Sequence, residues 1–291
     1  MASVVVQLAG ILLGAASEIP VPQALARWTP EELSTQGYES SPTFTADGRE
    51  MYFFRGDAGF RQYSLRWALC TTSGWEEQGA LPFAAKQPVS DSDPFVTPDG
   101  KRLYFISTRT DRAGVPKEDF DIWYVDRTAG GWGTPVRMPE PVNSSGSELL
   151  PRLLTNGQLL FGSDRPDGLG GHDIHIATQT PDGRWEARNL GPSVNTGANE
   201  YEADISADGS TMVVVSDRET RSRLYLFRKD QSDWKLSGQI MARQSVFQVG
   251  PLLSPLATRL AFAQAGDALS GEFYLVNLTA DTQENWPPSC P

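Results

Sequence analysis

Cysteine and histidine are nearly absent from this 291-residue chain, and each scarcity removes a class of chemistry. Two cysteines, Cys70 and Cys290, are too few for a disulfide-rich scaffold or a four-cysteine zinc site. Two histidines, His172 and His175, stand at no known metal spacing and leave little for a His-based metal centre or a Ser-His-Asp triad. Basic charge is also short. Lys and Arg number 25 against 36 Asp and Glu, a net charge of −11, so nucleic acid has no basic stripe to bind. No Gly-x-Ser-x-Gly elbow occurs, which removes a propeller-capped serine peptidase. Only one long apolar run exists, residues 4–16, and it is too short to span a bilayer. It reads either as the core of an export signal over residues 1–17, ending in Ala15, Ala16 and Ser17, or as a buried strand or helix. The leading Met-Ala-Ser carries no Lys or Arg, and no cysteine follows the run to take a lipid.

What the chain does have is a repeat. Glu39-Ser-Ser-Pro-Thr-Phe-Thr-Ala-Asp-Gly48 precedes the apolar run Met-Tyr-Phe-Phe. The pattern returns from Asp91 to Gly100, from Glu148 to Gly157, from Glu200 to Gly209 and, without its Asp-Gly, from Gln248 to Ala257. Successive starts lie 52, 57, 52 and 48 residues apart. Each unit reads as four short strands, with Asp-Gly or Asn-Gly turning the first into the second. Third strands are expected at Leu65–Leu69, Ile122–Val125, Ile174–Ala177, Leu224–Phe227 and Phe273–Val276. The fourth opens on tryptophan: Trp75, Trp132, Trp185, Trp234 and Trp286. Five of eight tryptophans at one repeat position point to a seal between neighbouring units.

Four-stranded units at this spacing predict an all-β fold, a β-propeller, because such a unit must stack on neighbours to cover both faces of its sheet. Five blades are expected over residues 39–88, 90–145, 147–197, 199–244 and 247–291, with six as the alternative. They form one domain over 18–291, and residues 20–28 supply the strand that the last unit lacks.

The motifs Ser163-Asp164-Arg165, Gly170-Gly171-His-Asp173-Ile174 and Asn-Leu-Gly191-Pro-Ser-Val-Asn195 resemble the WD-like propeller repeats of bacterial exported proteins, the TolB-like type. The likeness runs from about residue 20 to the C-terminus and is best in the third unit. It implies a periplasmic or extracellular binding module, since members are mostly binding or interaction proteins. The TolB-type amino-terminal domain has no counterpart in the sequence.

The candidate site is the set of unit starts: Glu39, Asp91, Glu148, Glu200 and Gln248. In a propeller the first strand lines the channel, so these would ring one mouth. They read either as caps on the loop entering each blade or as a ligand-binding ring for Ca²⁺, which prefers oxygen ligands, or for a basic peptide or amine. Asp164, Asp167 and Asp173 are a second candidate Ca²⁺ set, in a loop where Gly168, Gly170 and Gly171 permit unusual backbone angles. Asp164/Arg165 and Asp217/Arg218 read as ion pairs fixing the loop after the second strand. No other cofactor is indicated. Two functions stand. One is a monomeric, non-catalytic exported module engaging a peptide, protein or envelope glycan at the channel mouth. The other is a five-bladed glycoside hydrolase firing two mouth carboxylates, although repeat-equivalent acids lack the unequal environments that catalysis needs. Finally, an oxidising compartment and neighbouring end blades would let Cys70 and Cys290 pair.

Overall fold

The second strand of every unit is a nearly unbroken apolar run, as expected of a strand covered on both faces. The computed structural model describes residues 25–57, 59–110, 115–242, 245–265, 270–280 and 283–290, and all regular structure in them is strand. The first unit holds β2 (Tyr38–Phe44), β3 (Glu50–Gly56), β4 (Tyr63–Thr71) and β5 (Gly74–Ala80). The second holds β6 (Asp91–Val96), β7 (Arg102–Ser107), β8 (Asp121–Thr128) and a broken outer strand, β9 (Gly131–Trp132) and β10 (Val136–Arg137). The third holds β11 (Glu148–Leu153), β12 (Leu159–Ser163), β13 (Asp173–Gln179) and β14 (Trp185–Asn189). The fourth holds β15 (Glu200–Ile205), β16 (Thr211–Ser216), β17 (Arg223–Asp230) and β18 (Asp233–Gln239). The fifth holds β19 (Phe247–Leu253), β20 (Arg259–Ala265) and β21 (Gly271–Asn277). Within each unit the strands pair antiparallel in chain order.

At the open edge of the fifth unit lies β1 (Ala26–Arg27), with Ala26 opposite Leu275 and Arg27 opposite Tyr274. A parallel pair, Tyr38 with Gly271, joins the fifth unit to the first. The first strands also touch in a cycle: β2 on β6, β6 on β11, β11 on β15, β15 on β19, and β19 on β2. The export-signal reading of residues 1–17, and residues 20–24 of the closing segment, lie outside the described residues.

The core lies between sheets. Tyr52, Phe54 and Leu65 of the first unit pack on Leu103, Phe105 and Val125 of the second, and Val213, Val215 and Leu224 of the fourth on Leu253, Leu260 and Phe262 of the fifth. Burying each such side chain contributes about 1.5–3 kcal/mol. The repeated tryptophans join these layers. Trp132 meets Tyr52 of the first unit edge-on at 5.9 Å, and Trp234 packs among Leu160, Ile174 and Ile176 of the third.

Two details correct the sequence reading. In the hairpins only the glycine is left-handed (Gly48, Gly100, Gly157 and Gly209), while the Asp at the position before it receives backbone N–H groups such as that of Arg49. Gly168, Gly170 and Gly171 have no positive φ. They are small because the chain passes close by: a Cβ on Gly170 would lie 1.8 Å from Ala198 O, and one on Gly171 2.2 Å from Asn199 Oδ1.

The fifth turn lost its Asp-Gly, and the structure shows two consequences. Ala257 takes the left-handed angle, φ 52°, that glycine takes elsewhere. The missing carboxylate comes from the C-terminal tail, where Glu284 accepts bonds from Ser254 Oγ (2.6 Å), Leu256 N (3.0 Å) and Thr258 Oγ1 (2.6 Å). Beyond it the tail crosses the first unit, and Cys290 is bonded to Cys70, with Cα atoms 5.2 Å apart.

Two outcomes are expected. Ala257→Gly relieves a left-handed alanine and raises stability by about 0.5–1 kcal/mol in urea titration; a lowered midpoint would show that the turn is unstrained. The Cys70–Cys290 bond closes a loop of 220 residues, so Cys70→Ser lowers stability by at most about 5 kcal/mol on the chain-entropy model. Two thiols that alkylate in the unreduced folded protein would disprove the bond.

Candidate functional site

The five unit starts are buried, each at 0–1 % exposure. Each is held by the second strand of its own unit or the residues just after it and, in the first four, also by the loop that enters the unit. Glu200 accepts from Thr196 N (2.6 Å) and Thr196 Oγ1 (2.8 Å) in the entering loop, from Ser216 Oγ (2.7 Å) in β16 and from Arg218 Nη2 (3.0 Å). Glu148 repeats this with Ser144, Ser163 and Arg165, and Asp91 with Ala85 N, Ser107 and Arg109. Glu39 is held by Thr35 Oγ1 and Arg55 Nε, and Gln248 by Gln264. The carboxylates therefore fix the loop that enters each unit, and none is presented to solvent. Burial pushes the Glu148 carboxyl up, opposed by its bonds from Ser144 and Ser163 and by the Arg165 charge.

The same contacts correct the pairing of the Asp-Arg dipeptides. Arg165 and Arg218 turn to Glu148 and Glu200, whereas Asp164 accepts from Ser147 N (2.6 Å) and Asp217 from Asn199 N (3.0 Å). The second calcium set does not come together either. Asp173 accepts from Leu169 N, Gly170 N and Asn189 Nδ2, Asp164 holds Ser147, and Asp167 is exposed. Among the described residues no group of three His, Cys, Asp or Glu side chains is arranged to hold a metal ion. His175 is buried and stacks on Phe161, its basicity lowered chiefly by burial, and His172 lies 3.9 Å from Asp164.

The centre of the molecule is built from the residues two and four places further on. Every first strand carries a register shift there. In four units the residue two places on has a positive φ and precedes proline: Ser41, Asp93, Leu150 and Gly250. Proline donates no ladder bond and is tolerated at such bulges. The bulges aim these residues at one another across units. Ser41 Oγ donates to Asp93 Oδ1 (2.9 Å), Leu150 N to Asp93 Oδ2 (3.3 Å), and Gly250 N to Glu202 Oε2 (2.5 Å). A Cβ on Gly250 would lie 2.8 Å from Ser41 N, so only glycine lets the fifth unit approach the first.

Two places further on stand Thr43, Phe95, Arg152, Asp204 and Leu252. Arg152 is fully buried. It donates to Pro251 O (3.1 Å), two units away, and its guanidinium lies 5.3 Å from the Phe95 ring centre. Asp204, Asp93 and Glu202 act on it electrostatically, and burial lowers its pKa. Three acids thus share one cation. Burial raises all three carboxyls: Asp93, Asp204, and Glu202 to about 8, the last also through the Asp93 charge. Sequence reasoning missed this group because it followed the columns that repeat. The available signal was the opposite one: charged residues in columns whose chemistry changes from unit to unit.

Two cavities flank this centre. At the hairpin end a funnel of about 970 Å³ is lined by turns from all five units and by tail residues 284–286, 288 and 289, with Asp204 and Phe95 toward its floor. At the other end a pocket of about 210 Å³ holds Asp93 and Glu202 among aromatic rings.

The carboxyl of Glu202 gives a signed pH dependence. Its folded-state pKa of about 8 exceeds the ordinary 4.5, so its contribution to stability is fully present below 4.5 and is lost as pH rises through 8. Glu202→Gln, which mimics the protonated acid, is expected to melt with the parent at pH 4.5 and increasingly above it toward pH 8. Parallel melting curves across that range would refute the shift.

No protein-family model matches the sequence, and no curated protein matches it. Solved structures do. TolB from Acinetobacter baumannii matches with a TM-score of 0.52 at 14 % identity, over 84 % of this chain and 56 % of that one. A TolB protein of Agrobacterium tumefaciens matches at 0.50 and 14 % identity, over 84 % and 82 %. A gluconolactonase from Xanthomonas campestris stands at 0.49 and 12 % identity, over 87 % and 89 %. The chain spans little more than half the length of the Acinetobacter protein. At these identities the likeness establishes the fold alone: the chain is built as a β-propeller.

Proposed function

We propose that this chain is a five-bladed, exported, non-catalytic binding module that engages a protein or peptide partner in the funnel at the hairpin end. The observation that carries the reading is the convergence of turns from all five units, with the C-terminal tail, on one concavity of about 970 Å³. The blade number is supported by the cycle of first-strand contacts and by β1 at the edge of β21. Export is supported by the Cys70–Cys290 bond, a feature of oxidising compartments, and no helix among the described residues is long and apolar enough to cross a membrane. An envelope glycan is the second ligand class that such a funnel would accept.

The hydrolase alternative requires two carboxylates free to face a glycosidic bond. Glu39, Asp91, Glu148 and Glu200 are each enclosed by a loop and by a basic side chain. In the funnel, Glu284 is used by the fifth turn, and Asp204 accepts from Leu253 N (2.7 Å). The lining mixes small turn residues such as Ala46, Ser206 and Ala207 with larger apolar ones such as Phe44, Leu154 and Trp286, a surface suited to recognition.

Ala46 and Ala207 are exposed on the funnel wall in the first and fourth units. Ala46→Trp and Ala207→Trp are expected to abolish capture of the partner in pull-downs from an envelope fraction while leaving the melting temperature unchanged. Glu200→Gln is expected to cost roughly 2 kcal/mol of stability, as for other hydrogen bonds to charged groups, and to leave capture intact. Capture that survives both tryptophans but is lost with Glu200→Gln would overturn the assignment of the funnel.

A further inference from the structure

The pocket at the opposite mouth has a chemistry that the funnel lacks. Tyr38, Phe60 and Phe247 form one wall, with Tyr38 4.8 Å from Phe60 and 5.8 Å from Phe247 between ring centres. Tyr63 and Phe120, 6.3 Å apart, stand on another. Asp93 and Glu202 are the carboxylates among its described lining residues. The volume of about 210 Å³ corresponds to roughly seven water molecules at liquid density.

Three observations suit this arrangement to a cationic ligand. The Tyr38 side chain is 3 % exposed, and its hydroxyl makes no hydrogen bond of good geometry; the Ser40 hydroxyl that acts on it is likewise unsatisfied, an arrangement that costs about 1–3 kcal/mol when it persists. Glu202 uses Oε2 on Gly250 N, and its Oε1 takes no hydrogen bond within the described residues. Asp93, Glu202 and Asp204 all act on Arg152, so when the three are ionised they outnumber the cation that the described residues place among them. A carboxyl oxygen without a partner, an unsatisfied phenol, acids that can ionise beside a cation and aromatic walls are the features that an ammonium ion satisfies together. Its N–H groups bond to oxygen, its charge offsets the surplus, and its C–H surface lies on ring faces. Ca²⁺ fits less well, because it needs six to eight oxygens and the walls are rings.

We propose that this pocket binds a small organic ammonium ion, its nitrogen between Glu202 Oε1, Asp93 and the Tyr38 hydroxyl and its alkyl part against Phe60 and Phe247. The site is separate from the funnel. Burial favours the protonated form of Glu202, so binding exchanges its proton for the organic cation. The charged and titratable groups that act on this carboxyl are Asp93 and Arg152, and Glu202 in turn acts on Tyr38 and Tyr201.

The test titrates the full chain with butylammonium chloride, butanol and sodium chloride at matched ionic strength, followed by calorimetry. Saturable one-to-one binding of butylammonium is expected, unmatched by butanol or sodium ion. Glu202→Gln, which keeps an oxygen for Gly250 N, is expected to weaken it at least tenfold, and Phe60→Ala at least threefold. Asp93 also holds Ser41 and Leu150, so Asp93→Asn is read only alongside its melting curve. Ala207→Trp, in the funnel, should leave ammonium binding unchanged, which keeps a failure here distinct from a failure of the funnel assignment. N-acetyl-lysine methylamide in a parallel titration shows whether the ion is a free amine or a lysine side chain; tighter binding by either, lost in Glu202→Gln, supports the proposal. Butylammonium binding no better than butanol, or equal binding by the parent and Glu202→Gln, overturns it.

Discussion

A single arginine with no access to water constrains the centre of this molecule. Arg152 comes from the third unit, donates to a carbonyl of the fifth, lies over a ring of the second and is held electrostatically by acids of the second and fourth. A buried charge is tolerable only with opposite charge and hydrogen bonds close by, and removing one partner of such a group typically costs 3–5 kcal/mol. Those partners come from different units, so their contacts with Arg152 form only when the units are assembled. An isolated sheet would leave its own charged residue exposed or unpaired. The polar centre thus makes the correct neighbours a condition of stability, which a purely apolar centre would enforce less strictly.

The repeat follows a division of labour. Columns that keep their chemistry, the unit-start acid with its Ser-x-Arg partners, close each unit on its own loop, as in Glu148 with Ser163 and Arg165. Columns that change, Ser41/Asp93/Leu150/Glu202/Gly250 and Thr43/Phe95/Arg152/Asp204/Leu252, meet across units. A clamp must be repeated because every unit has a loop to hold. A site at the centre must be unequal, because a ligand there meets all units at once and symmetric acids would only repel. Equivalence along the sequence is therefore a sign of architecture, and broken equivalence a sign of a site.

That rule explains what was legible in the sequence. The strands, their order and the tryptophan layers follow from local signals: an apolar run of strand length, an Asp-Gly turn, an indole at a fixed offset; the exception is Trp286, which opens no strand and lies in the tail, edge-on to Phe44. All five expected third strands fall inside β4, β8, β13, β17 and β21. The centre was not legible because a bulge at the residue before proline breaks the simple alternation of strand faces, and alternation is what a sequence reader counts. The glycines of the 168–171 loop misled for a related reason. Glycine is required both where φ is positive and where another backbone passes within a Cβ radius, and only the fold tells the two apart.

The fifth unit shows how the last repeat can lose local signals and still fold. Its turn lacks Asp and Gly, and among the described residues its sheet has only three strands of its own, so by local criteria it is the weakest of the set. Both deficits are met from distant sequence. Glu284 replaces the turn carboxylate, β1 covers the sheet edge, and the Cys70–Cys290 bond holds the tail where Glu284 must be. Each of these contacts spans either the C-terminal tail or the junction between the chain's two ends. The fifth turn thereby reaches its full set of hydrogen bonds only when the tail lies across it. The funnel wall is made of the same tail and the same turns. The proposed binding surface is thus complete only in the assembled chain, which ties recognition at the funnel to the integrity of the seam.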